Sequence, residues 1–188
     1  EVSVYLHQVD LDESLENKTR VVVESCISAL YEFDKYKSVQ KEIKKIEKIN
    51  ILEPKVSKEI KAIVEKAEII ANNVNYVRDL VNEPSEIVTP EYLAQETKNI
   101  VDKNKNVKLT IMGLEEIQAN GLGGLFSVGK GGNNDPRFIV VEYKMSKDKP
   151  IAFVGKGITF DSGGLNVKPA AYMENMRSDM AGAATVLG

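Results

Sequence analysis

Ile151–Gly188 reads IAFVGKGITFDSGGLNVKPAAYMENMRSDMAGAATVLG. Its first seven residues, IAFVGKG, have the apolar, β-branched texture of a strand buried on both faces, as in an α/β sheet. Such a strand would carry Lys156 and Asp161 to the carboxyl edge of the sheet, where ligand crevices form. Gly157, Gly163 and Gly164 remove side chains where a substrate or a second backbone must approach. Asp179 follows Asp161 by 18 positions and precedes MAGAATVLG, a small-residue helix able to pack closely against a sheet.

Upstream, VKLTIMG (107–113) and RFIVVEYKM (137–145) are two further strand-like runs, with a glycine-rich stretch and a short helix between them. Strands with helices packed on both faces make the expected fold class α/β. Thr89-Pro90-Glu91 supplies an N-cap, a first-turn proline and an early acid for a helix running to about Asn104. Ser57 opens a longer helix, whose apolar stripe comprises Ile60, Ile63, Val64, Ala67, Ile70, Val74, Val77 and Val81, and which stops before Pro84. At about 25 residues it is long for a globular protein and suits a connector between domains. Nearer the start, Val22, Val23, Cys26, Ile27 and Leu30 predict an amphipathic helix over 19–33, and Ile49–Leu52 a short strand. Lys35–Lys48 holds six lysines against two glutamates, read as a solvated element.

Composition narrows the chemistry. With 188 residues, 43% hydrophobic and 28% charged, the chain is of globular type with too little continuous apolar sequence for a membrane span. A net charge of −3 offers no support for a nucleic-acid or membrane surface as partner. The single Cys26 allows no internal disulfide and sits on the expected buried face of its helix; the single His7 lies in the strand-like run VYLHQV. One Cys and one His cannot form a Cys/His zinc site, and no G-x-S-x-G elbow accompanies His7. Catalysis by this chain would therefore fall to carboxylates, lysines, metals or backbone amides. Asn17-Lys18-Thr19 matches a glycosylation acceptor but reads as a helix start.

Gly124–Gly131, GLFSVGKG, misses a phosphate-binding loop by one residue, at the position whose hydroxyl would hold magnesium. The GGNNDP that follows is unsuited to start the helix such a loop requires, so a glycine-rich turn close to a neighbouring element is expected, with nucleotide binding as the rival. In the carboxyl-terminal stretch, Asp179 alone would be an N-cap and Lys156 alone a surface lysine. Together with Asp161 they permit an oxygen-rich site for Mg²⁺, Mn²⁺ or Zn²⁺, which a lysine joins only as the free amine.

VGKGITFDSGG (154–164), then Lys168-Pro169, Met173-x-x-Met176-Arg177-x-Asp179-Met180 and Gly182-Ala-Ala, closely resembles the leucyl (cytosol) aminopeptidases, which are dinuclear metallo-exopeptidases. YEFDKYKS (31–38), VRDLVNEPSEIVTPEYLA (77–94) and NGLGGLFSVGKGG (120–132) extend the likeness over residues 29–188. The resemblance implies two divalent metal ions per subunit, Mn²⁺ or Zn²⁺ with Mg²⁺ as an alternative, and a two-metal hydrolysis that releases leucine-type residues from peptides with a free N-terminus. Asp161 would bridge both metals, Lys156 and Asp179 would be ligands of the tighter site, and Lys168 would be the catalytic lysine that stays protonated. A cytoplasmic homohexamer without nucleic-acid or membrane partners is implied too.

The family's downstream N-T-D-A-E-G-R motif, which supplies further ligands and an arginine for a bicarbonate base, is absent; Asn134-Asp-Pro-Arg137 is a superficial echo out of order. The chain is therefore expected to be an internal fragment, inactive alone. Residues 1–55 would close an amino-terminal α/β domain, 56–83 would connect, and 84–188 would begin a catalytic domain with a mostly parallel sheet. A naturally truncated relative that keeps the fold for assembly or regulation is the alternative.

Overall fold

A computed structural model describes residues 1–38, 46–102, 105–146 and 148–188. The chain is of α/β class and divides into two compact units, Glu1–Asp79 and Leu80–Leu187.

In the first unit, β1 (Val2–Tyr5) pairs with β2 (Ile49–Leu52) in parallel, Val2 opposite Ile49 and Tyr5 opposite Leu52. Parallel neighbours need a crossover, and α1 (Leu15–Ala29) lies within it. The helix starts four residues before its expected position because the Ser14 hydroxyl caps it, accepting from the Asn17 N–H at 3.2 Å. Asn17 thus belongs to the first turn, and Thr19 is buried with its hydroxyl donating to Leu15 O at 2.7 Å. Val22 and Val23 are buried, whereas Cys26 is only half-buried. β1 ends at Tyr5, before the expected run does, and His7 sits exposed in a 3-10 turn, Leu6–Gln8, with its ring edge-on to Tyr5. Much of the lysine-rich run, residues 39–45, lies outside the described residues.

The long helix is α2 (Lys58–Asn82), whose Ile60 N–H is capped by the Ser57 hydroxyl at 3.3 Å. Its buried positions are Ile60, Ala67, Ala71 and Leu80, while Ile70 and Val74 of the expected stripe are exposed. Small alanines let a neighbour approach closely, so burial follows the Ala67–Ala71 line rather than the bulkier β-branched residues. Near its end, α2 holds α1 by the latter's otherwise unpaired last carbonyls: Arg78 Nη1 donates to Ser28 O at 3.0 Å and Asn75 Nδ2 to Ile27 O at 3.4 Å. The Arg78 guanidinium also covers the Tyr31 ring at 3.8 Å, and Tyr31 O–H donates to Asp79 at 2.8 Å.

In the second unit, α3 (Pro90–Val101) begins at Thr89, whose hydroxyl accepts from the Tyr92 N–H at 3.1 Å, and it buries Leu93, Ala94, Thr97 and Val101. β3 (Val107–Met112) and β4 (Phe138–Tyr143) pair antiparallel, with Lys108 opposite Glu142 and Ile111 opposite Ile139. Between them lie α4 (Leu114–Ala119), with Ile117 fully buried, and α5 (Gly123–Gly129). The near-miss phosphate loop is thus helical rather than a turn over most of its length. Close approach does occur at its end, where a Cβ on Gly129 would lie 2.5 Å from Pro136.

The expected strand IAFVGKG does not form. Residues 151–157 are extended but pair with no strand among the described residues, and Ile151, Phe153 and Val154 are 83%, 77% and 94% exposed. A strand exists only through a ladder partner for its N–H and C=O groups, and sequence texture specifies the strand without supplying that partner. The carboxyl-terminal elements are α6 (Ala170–Met173), a 3-10 turn (Met176–Met180) and α7 (Ala181–Leu187).

Candidate active site

Lys156 and Asp161 are therefore placed by helix packing rather than by a sheet edge. The Ala183 N–H at the start of α7 donates to Lys156 O at 2.8 Å, fixing the backbone below the Lys156 side chain. The approach is close because both partners are glycines: a Cβ on Gly155 would run into the Gly182 backbone, and one on Gly182 would lie 2.8 Å from Lys156 N. The small residues of the MAGAATVLG stretch allow this contact.

Asp161 opens a tight turn in which its Oδ1 accepts from the Gly163 N–H at 2.9 Å, the usual behaviour of an aspartate two residues before a turn amide. Gly163 and Gly164 take φ of 94° and 74°, which glycine alone adopts without strain. The turn closes with the Lys168 N–H donating to Ser162 O at 2.8 Å. Lys168 Nζ then reaches back to Asp161 Oδ2 at 2.7 Å and also lies 2.9 Å from Met176 Sδ. The Lys168 ammonium, aided by the Gly163 amide, holds the Asp161 carboxyl below the usual carboxylate range; the Lys156 charge adds a smaller pull in the same direction.

Asp179 lies inside the 3-10 turn rather than at the N-cap of α7, and among the described residues no backbone N–H donates to its side chain. Its Oδ2 faces Lys156 Nζ at 3.1 Å, an ion pair by distance, but the angle is wrong for a hydrogen bond and the buried oxygen has no donor. The structure thus brings all four predicted residues together as two Lys–Asp pairs, coupled through the Lys156 field at Asp161. Sequence reasoning missed Met176, whose sulfur shares Lys168. It also missed Arg177, whose buried Nε has no hydrogen-bond partner. Their signal was the Met-x-x-Met-Arg-x-Asp spacing, which marks the segment without saying which side chains turn inward.

An uncompensated buried carboxylate oxygen beside a second, ionised carboxylate suits a divalent cation. The set is otherwise lean, since no three His, Cys, Asp or Glu side chains gather among the described residues. A further donor would have to be the Lys156 amine. An open cleft of about 1220 Å³ elsewhere in the second unit, lined by Glu91, Lys98, Asp102, Glu116, Asp135 and Arg137 among others, includes none of the four. Its Arg137 is already committed to Glu91 at 2.7 Å.

The profile of the cytosol aminopeptidase family, catalytic domain, matches residues 75–188, more than half of the sequence. The chain belongs to the cytosol aminopeptidase family. It is 39% identical over 174 residues to a probable cytosol aminopeptidase of Pseudomonas fluorescens (strain Pf0-1), covering 91% of this chain and 35% of that protein. It is also 42% identical over 173 residues to one of Aquifex aeolicus (strain VF5), covering 90% and 34%. The chain thus spans about a third of the length of the curated relatives it matches. Among solved structures, a tomato leucine aminopeptidase mutant superposes with a TM-score of 0.81 at 29% identity, over 98% of this chain and 36% of that one. The bottromycin maturation enzyme BotP in complex with Mn gives 0.79 at 26% identity, over 98% and 38%. Against this background the cytosol aminopeptidase match takes in the candidate cluster and most of the second unit. Among the described residues no helix is long and apolar enough to cross a membrane.

Proposed function

We propose that the protein containing this chain is a metal-dependent aminopeptidase that releases N-terminal residues, leucine among them, from unblocked peptides. The observation that carries the reading is the meeting of Lys156, Asp161, Lys168 and Asp179 in one glycine-lined cluster, inside the segment matched to the cytosol aminopeptidase family. Asp161 and Asp179 would hold two divalent ions with the Lys156 amine as a further ligand. Mn²⁺ or Zn²⁺ is the leading candidate and Mg²⁺ an alternative, and BotP's complex with Mn favours the first. When bound, such ions supply Lewis acidity for hydrolysis and a docking point for the substrate's free amine.

The remaining work falls to the chain's own residues. Lys168 keeps its proton because Asp161 accepts from it at 2.7 Å, and it presents a positive charge to the scissile carbonyl, stabilising the negative charge that develops on its oxygen. The Asp161–Gly163 turn fixes that carboxylate before substrate arrives. Gly163 and Gly164 leave room for the peptide backbone beside Lys168.

The same reading makes the complete protein a cytoplasmic homohexamer, with a bicarbonate base held by an arginine in an N-T-D-A-E-G-R motif that these 188 residues do not contain. The present stretch by itself would not turn over substrate. Residues 1–55 and 84–188 would be parts of separate domains, joined by the helix in 56–83. The deciding experiment is hydrolysis of a fluorogenic leucine amide by the full-length protein with Mn²⁺, with chelator, and with the acetylated substrate. Activity that survives complete chelation, or equal cleavage of the acetylated compound, would sink the proposal.

A further inference from the structure

We propose that Met176 is a positioning residue for Lys168, resting on the reading of Lys168 as the group that polarises the scissile carbonyl. A lysine ammonium carries three N–H donors on a flexible four-carbon stem, so charge alone does not aim it. Here two of the three directions are taken. Asp161 Oδ2 accepts at 2.7 Å, and Met176 Sδ lies 2.9 Å from the same nitrogen. The third N–H is left for an oxygen arriving from substrate.

The two partners differ in kind. The carboxylate compensates the charge, whereas the thioether is a neutral, weak acceptor that fixes direction without adding a second counter-charge. The base of the lysine is equally constrained, because its N–H is bonded to Ser162 O and its stem lies against Gly163, where a Cβ would sit 3.0 Å from Lys168 Cγ. Met176 also opens the five-residue 3-10 turn that carries Asp179. One short element therefore aims the ammonium and places the carboxylate that faces Lys156.

The test uses the full-length protein. Met176→Leu keeps the bulk of the side chain but removes the acceptor. It should lower kcat about tenfold with KM, metal content and circular dichroism unchanged, less than the roughly 10²–10³ expected for loss of the donor itself. Met176→Gln, which restores an acceptor on an unbranched stem, should recover most of that loss, and Met173→Leu should behave as wild type. Crystal structures of the wild type and the Leu variant supply an arm independent of turnover: Lys168 Nζ should lie beside Met176 Sδ in the first and move in the second. Unchanged kcat in Met176→Leu, a change confined to KM, or an unmoved Nζ overturns the proposal. If the wild type has no aminopeptidase activity, the functional reading falls, and the crystallographic arm still decides the positioning.

Discussion

Lys156 and Lys168 sit nine and ten residues from the structural glycines at either end of the cluster's local frame only in sequence terms; what separates them chemically is their partners. Lys156 faces a buried oxygen that lacks a donor, while Lys168 makes a directed hydrogen bond to Asp161. In the full-length protein, Lys156→Ala should therefore lower metal occupancy, and Lys168→Ala should leave metal bound but reduce kcat by about 10²–10³. Asp161→Ala should be worse than either. Elemental analysis and kinetics on the same preparations check this, and a Lys156→Ala protein that retains its full metal complement contradicts the assignment. The four residues were legible in the sequence because their types and glycine setting are unusual together. That Asp179 would forgo its N-cap role was not legible, since a cap and an ion pair leave the same letter before the same helix. Gly155 tests the frame itself: Gly155→Ala should cost about 1–3 kcal/mol or more, because the new methyl meets backbone at Gly182 rather than a yielding side chain. Gly124→Ala, with open space around it, should be neutral or stabilising in the same thermal melts.

Helices α2 and α3 lie almost where their sequence signals put them because those signals are local: Ser57 and Thr89 both cap, and Pro84 and Pro90 bound their segments. Thr89→Ala should cost about 1 kcal/mol in urea denaturation, the usual loss for one cap. The antiparallel β3–β4 pair offers a pH prediction. Lys108 donates to Glu142 across the ladder at 2.9 Å and holds that carboxyl below its ordinary range, with Lys144 adding to the pull. A lowered folded-state pKa means that the pair's stabilisation is fully present above the unfolded value of about 4.3 and is lost as pH falls through the lower folded value. Lys108→Met should therefore reduce the urea midpoint near about pH 7 and leave it unchanged near about pH 2. A constant difference at both pH values would show that the lysine acts through packing. What local signals did not reveal was the helical state of Gly123–Gly129, where the run of glycines suggests a turn and the contact with Pro136 decides otherwise.

At the scale of the molecule, the α/β class was legible from alternating textures, whereas strand pairing was not, because it depends on which distant segment lies alongside. β1 and β2 find each other across more than forty residues, and residues 151–157 find nobody among the described ones. Light scattering of the full-length protein should show a hexamer at micromolar concentration, and a monomer throughout would count against the proposed assembly. The bare run of Ile151, Phe153 and Val154 carries its own consequence for anyone handling these 188 residues in isolation. An unpaired apolar β segment is a template on which copies of itself can stack edge to edge, so the isolated stretch should form thioflavin-positive aggregates and be held by chaperones during expression. Phe153→Lys, a charge set in the middle of that run, should delay their onset and raise the soluble yield.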